Sequence, residues 1–195
     1  MQNVLIVYAT REGQTARIAR HIADTLAAQG HAPELVDADH PARPLRLERF
    51  DVAVVGAPIH ATGYPRSIVR FVREHTEFLE SVPSAFFSVG LAVASRTSDG
   101  RAQTLAVVEK FVEQTGWRPR RVELVAGALP YSRYNFVIRF IMRRIAAKEG
   151  GDTDTSRDYE YTDWRAVERF ARELVPERAG DHPAGMPGEP FAARA

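Results

Sequence analysis

The feature that most narrows the fold is a series of short apolar runs with helical patterns between them. The runs are Val4-Leu5-Ile6-Val7-Tyr8-Ala9, Val52-Ala53-Val54-Val55, Ser84-Ala85-Phe86-Phe87-Ser88-Val89 and Val122-Glu123-Leu124-Val125-Ala126-Gly127. Short runs without strict alternation suit strands covered on both faces. Leu35-Val36, ending in Asp37, reads as a shorter strand, and His40-Pro41 and Arg43-Pro44 mark a loop after it. After the first run, Ile18, Ala19, Ile22, Ala23 and Leu26 recur at helical spacing until Gly30. A second helix is expected with Pro65 in its first turn and Ile68, Val69, Phe71, Val72 and Leu79 on its apolar face. A third spans 101–114, with Leu105, Val108, Phe111 and Val112 on one face and Gly116 ending it. Alternating strands and helices predict an α/β domain, a doubly wound five-stranded parallel sheet with helices on both faces. Such a sheet takes its ligand at the carboxyl ends of its strands, here the loops 10–15, 56–64 and 88–99.

Length and charge bound the function. The chain has 195 residues, enough for one domain. Its 26 basic and 25 acidic side chains give a formal net charge of +1. That balance argues against an acidic carrier and a strongly basic nucleic-acid binder. Cysteine is absent, which excludes disulfides, thiolate metal sites, Fe–S clusters and cysteine nucleophiles. The composition suits a reducing compartment. The apolar run begins at Val4 without a basic lead, so no secretory leader is expected. No 18-residue apolar window is present to span a bilayer. His21, His31, His40, His75 and His182 lack ligand spacing, and no metal is expected. Asp37 and Asp39 read as turn residues rather than as a ribose contact.

The loop Thr10-Arg11-Glu12-Gly13-Gln14-Thr15 joins the first strand to the first helix. Backbone N–H groups at a helix start favour an anion. Thr10 and Thr15 add hydroxyls, and Gly13 permits a tight turn with close backbone approach. Neither a GxGxxG pattern nor a Walker glycine–lysine pair occurs, so a monophosphate fits better than a dinucleotide or a nucleoside triphosphate. A capped helix without a ligand is the alternative reading.

The pattern breaks after Leu129. Residues 130–158 read as an insertion before a closing helix from Thr162 to Val175, with Thr162 as its N-cap. The domain is therefore expected over 1–175. The last twenty residues, 176–195, hold four prolines and three glycines and read as a disordered tail. Within the insertion, 131–149 carries five basic residues and one acidic residue. On a helical wheel Val137, Ile138, Ile141, Met142 and Ile145 form an apolar arc. Arg139 and Arg143 flank it on one side and Arg144 and Lys148 on another, with Arg133 just before. Three readings stand: a helix in an anionic membrane interface, a grip on substrate carboxylates, or a helix packed on the domain with its cations in water.

The spacing Thr-x-x-Gly-x-Thr at 10–15 resembles the FMN phosphate loop of flavodoxins, with Glu12 where a threonine is usual. A more specific resemblance covers roughly residues 3–175. It is carried by Tyr-Ala-Thr-Arg-Glu-Gly-Gln-Thr (8–15), Val-Pro-Ser-Ala-Phe-Phe-Ser-Val (82–89), Trp-Arg-Pro (117–119), Ala-Gly-Ala-Leu-Pro-Tyr-Ser-Arg-Tyr (126–134), Gly-Gly-Asp-Thr-Asp-Thr (150–155) and Tyr-Thr-Asp-Trp (161–164). These motifs resemble the flavodoxin-type, oxygen-independent protoporphyrinogen oxidases, the menaquinone-dependent protoporphyrinogen IX dehydrogenase family.

The resemblance implies a flavodoxin-like sheet of order 2-1-3-4-5 and FMN as cofactor. It implies oxidation of protoporphyrinogen IX to protoporphyrin IX in heme biosynthesis, with electrons passed to menaquinone or another quinone. The flavin carries the redox chemistry, and no acid–base dyad is required. By position, Thr10, Arg11, Glu12, Gly13, Gln14 and Thr15 would hold the phosphate. Pro58, Ile59, His60, Ala61, Thr62, Gly63 and Tyr64 would lie along one side of the ring, and Ser88, Val89, Gly90, Leu91 and Ala92 would supply backbone groups to its edge. His60-Ala61 stands where the family commonly has an arginine and an aromatic; His60 is a candidate catalytic residue and Tyr64 a candidate stacking ring. No aromatic occurs in 88–96, which would leave one flavin face open to a bulky tetrapyrrole. Arg133, Arg139, Arg143, Arg144 and Lys148 would meet the substrate propionates or the membrane, placing the chain in the cytoplasm at the inner face of the cell membrane. Two other functions fit a flavin domain, an electron carrier and a general FMN quinone reductase, and coproporphyrinogen is an alternative substrate.

Overall fold

The computed structural model describes residues 1–41, 44–60, 63–95, 99–129, 131–133 and 154–175. The expectations for Ala61, Thr62, Arg139, Arg143, Arg144, Lys148, the side chain of Arg133 and the tail 176–195 lie outside the described residues.

Five parallel strands form one sheet in the order β2-β1-β3-β4-β5. They are β1 (Asn3–Tyr8), β2 (Ala32–Asp37), β3 (Val52–Pro58), β4 (Ser84–Gly90) and β5 (Arg121–Ala126). The helices between them are α1 (Gln14–Ala28), α2 (Arg66–Glu74), α3 (Thr76–Ser81) and α4 (Asp99–Thr115). β6 (Ala128–Leu129) and β7 (Tyr159–Glu160) make a separate antiparallel pair, and α5 (Trp164–Arg172) follows.

Successive strand residues point to opposite faces, and the core divides accordingly. Val4, Ile6, Val52, Val54, Ala85 and Phe87 pack with α1 and with Val167, Phe170 and Ala171 of α5. Leu5, Val7, Ala53, Val55 and Phe86 pack with Ile68 and Val72 of α2, Leu79 of α3, and Val108 and Phe111 of α4. Both sets are buried, which is why the strands read as continuous apolar runs.

Several boundaries differ from the sequence reading. β3 runs on through Gly56 to Pro58, because Pro58 still pairs with Val89 of β4. Gly56 is required by packing and not by a turn: a Cβ there would stand 1.8 Å from the Phe87 ring. The expected helix after Pro65 is two helices, with His75 between them at φ −126°. Thr76 donates its hydroxyl to the Val72 carbonyl at 2.7 Å, satisfying a group at the end of α2. Pro65 sits at the N-cap of α2, one residue before its first turn. The N-cap of α5 is Asp163, not Thr162; its carboxylate accepts from the Ala166 N–H at 3.0 Å. The Asp37 turn is as expected, with the Asp39 N–H donating to the Asp37 carboxylate at 2.9 Å.

Candidate functional site

Parallel pairing brings the loops after β1, β3 and β4 to one edge of the sheet. Backbone bonds across the strand ends hold that edge: the Ala9 N–H donates to Gly56 O at 3.1 Å, and the Ile59 N–H to Val89 O at 2.7 Å. The loop after β1 is closed by Thr10, whose hydroxyl oxygen accepts from the Gly13 N–H at 3.1 Å. Gly13 is the N-cap of α1 at φ 93°, in the left-handed region that favours glycine. No side chain caps this helix. The first bond of its ladder runs from the Arg17 N–H to Gly13 O at 3.0 Å. The N–H groups of Gln14, Thr15 and Ala16 therefore have no acceptor within the helix, and they stand at the positive end of its dipole. Thr15 is buried beside them, and Arg11 and Glu12 are exposed. A hydroxyl, a left-handed glycine and a first turn of outward N–H groups fit a phosphate monoester.

The loop after β3 is a tight hairpin. The His60 N–H donates to Gly63 O at 2.9 Å, and the Gly63 N–H returns to His60 O at 3.2 Å. This puts the exposed His60 at the rim of the edge. Tyr64 is not the free stacking ring expected from its position. Its ring packs edge-on against Phe86 at 5.1 Å and Phe111 at 4.9 Å, and its hydroxyl donates to the buried Ser88 Oγ at 2.8 Å. Burial pushes the Tyr64 phenol up to about 12, so the ring stays protonated and uncharged.

The third stretch also differs from its expectation. Ser88, Val89 and Gly90 are the last residues of β4, and the loop begins at Leu91 with a 3-10 turn through Ala94. Val89 O and Gly90 O already accept from Ile59 and Gly127. The side chain of Ile59 lies 3.4 Å from where a Cβ on Gly90 would stand, so the two loops meet closely there.

One network was not legible in the sequence. Gln14, at the start of α1, donates its side-chain amide to Glu160 at 2.9 Å and to the Thr162 hydroxyl at 2.8 Å. Arg17 pairs with Glu160 at 3.2 Å, and the Thr162 hydroxyl donates to Ala126 O at 2.7 Å. Burial pushes the Glu160 carboxyl up, but the hydrogen bonds from Gln14 and Arg17 outweigh it and leave it below the usual carboxylate range. The N–H and hydroxyl of Ser132 both donate to Asp158, at 2.8 and 2.7 Å. Leu129, Tyr131, Tyr159 and Tyr161 form a small cluster against Leu91. Both ends of the excursion between β6 and β7 are thus tied to α1 and to the loop after β4. Two-residue strands carry no periodicity, and only the spacing of Tyr159 and Tyr161 hints at them.

The flavodoxin domain model matches residues 5–156. Protoporphyrinogen IX dehydrogenase [quinone] of Escherichia coli (strain K12) is 39% identical over 171 residues, covering 88% of this chain and 93% of that protein. The chain belongs to the protoporphyrinogen IX dehydrogenase family. The protein of the same name from Leishmania major is 34% identical over 175 residues, covering 88% of this chain and 74% of that one. Among solved structures, a short-chain flavodoxin associated with a non-canonical PDU bacterial microcompartment superposes with a TM-score of 0.54 at 14% identity. It covers 89% of this chain and 97% of that one. Oxidised flavodoxin 1 from Bacillus cereus gives 0.50 at 13% identity, covering 88% and 96%. These likenesses bear out the flavodoxin-like fold and its strand order. The family's motifs past residue 116 fall partly on the described network, at Tyr131, Ser132, Tyr161 and Thr162.

Proposed function

We propose that this chain is an FMN-dependent protoporphyrinogen IX dehydrogenase that passes electrons to a quinone. Membership of the family supports the reaction, and the uncapped start of α1 at Gly13 is the observation that carries the cofactor site. Bound FMN would take electrons from the substrate two at a time, three times per porphyrin formed, with a quinone reoxidising the flavin after each step. The residues of the chain hold and orient it. Thr10 and the N–H groups at 14–16 anchor the phosphate, with Arg11, Glu12, Gly13 and the side chains of Gln14 and Thr15 forming the rest of that loop. Residues 58–64 border the ring on one side, with His60 at the rim. Residues 88–92 border its edge, and Tyr64 supports the hairpin from below through Ser88.

The segment 131–149, with Arg133, Arg139, Arg143, Arg144 and Lys148, belongs to the same reading as a contact with the inner face of the membrane or with substrate carboxylates. Among the described residues no helix is long and apolar enough to cross a membrane. The test is anaerobic: FMN-loaded protein, protoporphyrinogen IX and a menaquinone analogue, with porphyrin fluorescence as readout. Fluorescence should rise in proportion to protein. A trace no steeper than the protein-free blank contradicts the reading. Quinone reduction by another donor under the same conditions would then favour a general quinone reductase.

A further inference from the structure

A cavity of about 650 Å³ lies between α2 and α4, and Gly63 and Tyr64, at the end of the hairpin after β3, are among its lining residues. That size is within the range of about 300–1,000 Å³ typical of small-ligand sites. Arg66, Val69, Arg70 and Arg73 line it from α2. Their spacing of three and four puts all four on one helix face. Val107, Lys110, Phe111 and Gln114 line it from α4 at the same spacing. The floor is therefore apolar and the walls are cationic, with Glu74 as the one acid among the lining residues.

The charge pattern at the start of α2 works against its own helix. Arg66 and Arg70 are like charges at i and i+4, which destabilises a helix. Arg66 is also the first residue of α2, at the positive end of the helix dipole. No described carboxylate forms an ion pair with Arg66, Arg70, Arg73 or Lys110. Arginines held at such a cost, around a concave apolar floor, match an amphipathic anion. A concave seat suits a compact molecule; a membrane surface is met by side chains that protrude.

From this we infer that the α2–α4 groove is a subsite for the carboxylate edge of an amphipathic dicarboxylate macrocycle, which on the proposed function is the porphyrinogen. The arginines of α2 and Lys110 would receive the propionates, and Val69 and Phe111 would lie under the apolar ring. Gly63 would bring the rest of the macrocycle toward the hairpin that borders the flavin. On this arrangement the segment 131–149 is left to the membrane.

The experiment measures binding of protoporphyrin IX and of its dimethyl ester to the full chain by tryptophan quenching. The wild type is compared with Arg70→Glu/Lys110→Glu and with Arg70→Lys. Both substituted residues are exposed, so the fold is expected to stay intact, and FMN affinity is read in the same samples. The double reversal should weaken the diacid by about a hundredfold, or about tenfold per substituted residue. The ester should bind all forms alike, Arg70→Lys should keep most of the affinity, and FMN should bind unchanged. Equal diacid affinity in wild type and double variant overturns the inference, as does a wild type that binds no diacid. Loss of sedimentation with phosphatidylcholine–phosphatidylglycerol vesicles, with diacid affinity kept, also overturns it and makes the groove a membrane patch. A wild type that binds the diacid through these residues yet forms no porphyrin overturns the proposed function and leaves the groove standing.

Discussion

The two faces of one sheet use their cations differently. On the α1–α5 face Arg17 meets Glu160, Arg172 meets Glu168, and Arg121 meets Glu173 while lying over the Phe170 ring. There the charges join elements: α1 to β7, and β5 to the end of α5. On the α2–α4 face Arg66, Arg70, Arg73 and Lys110 surround a groove and meet none of the described carboxylates as ion pairs. Beneath them the packing is aromatic. Phe111 stacks on Phe86 at 5.0 Å and meets Trp117 and Tyr64 edge-on. One face carries ion pairs between elements; on the other an aromatic floor lies under groove cations that make no ion pair with the described carboxylates. The difference teaches that cation count alone does not reveal a binding face, whereas the pairing of those cations does.

Substitutions that act on one face and spare the other sharpen the contrast. The largest effect is expected for Phe111→Ala, which removes a ring 2% exposed from the aromatic floor. It should cost about 3–5 kcal/mol in denaturant unfolding, and it should also collapse the groove. A loss under about 1 kcal/mol would show that the floor is not the cluster described. On the other face, Gly56→Ala drives a methyl into Phe87 and should cost about 1–3 kcal/mol. Adding Phe87→Leu should return part of that stability, and no recovery would place the strain elsewhere.

Tyr64→Phe leaves the buried Ser88 hydroxyl without its donor and should cost about 1–3 kcal/mol. It also changes the alkaline limb. With the phenol raised from 10 to about 12 in the folded state, its stability contribution is full below pH 10 and is lost as pH rises toward 12. Urea unfolding of the variant over that window should lack this fall; an identical fall would assign it to another group. The smallest effect is expected at Glu160, whose carboxyl is lowered in the folded state. Its contribution is present above the ordinary value of 4.5 and fades as pH falls through the folded value. Glu160→Gln should loosen β7 at neutral pH, seen as faster amide exchange at 159–162 with the sheet unchanged. Slow exchange at those sites would break the proposed fastening of β7 to α1.

Burial on both faces made the central strands β1, β3 and β4 legible, since it writes each of them as an apolar run. The geometry of the loop 10–15 was legible for a local reason: Thr10, Gly13 and the start of α1 act within six residues of one another. Gly56 was placed in the loop 56–64 rather than in β3, because its packing partner, Phe87, is distant in sequence. Tyr64 looked available for stacking because position in a loop says nothing of which way a ring packs. The hydrogen bonds of Gln14 to Glu160 and Thr162 span nearly the whole domain, and no local pattern announces such a pairing. The α2 stripe of Arg66, Arg70 and Arg73 was present in the sequence, but only the fold sets it opposite Lys110.

The most direct measurement of the central claim is the visible spectrum of the FMN-loaded protein under anaerobic conditions. Adding about one protoporphyrinogen IX per three FMN should bleach the oxidised flavin band while porphyrin absorbance appears, since the conversion releases six electrons and each FMN takes two. A menaquinone analogue added next should restore the band. A band that persists with substrate present, or that bleaches and does not return with quinone, would contradict the account.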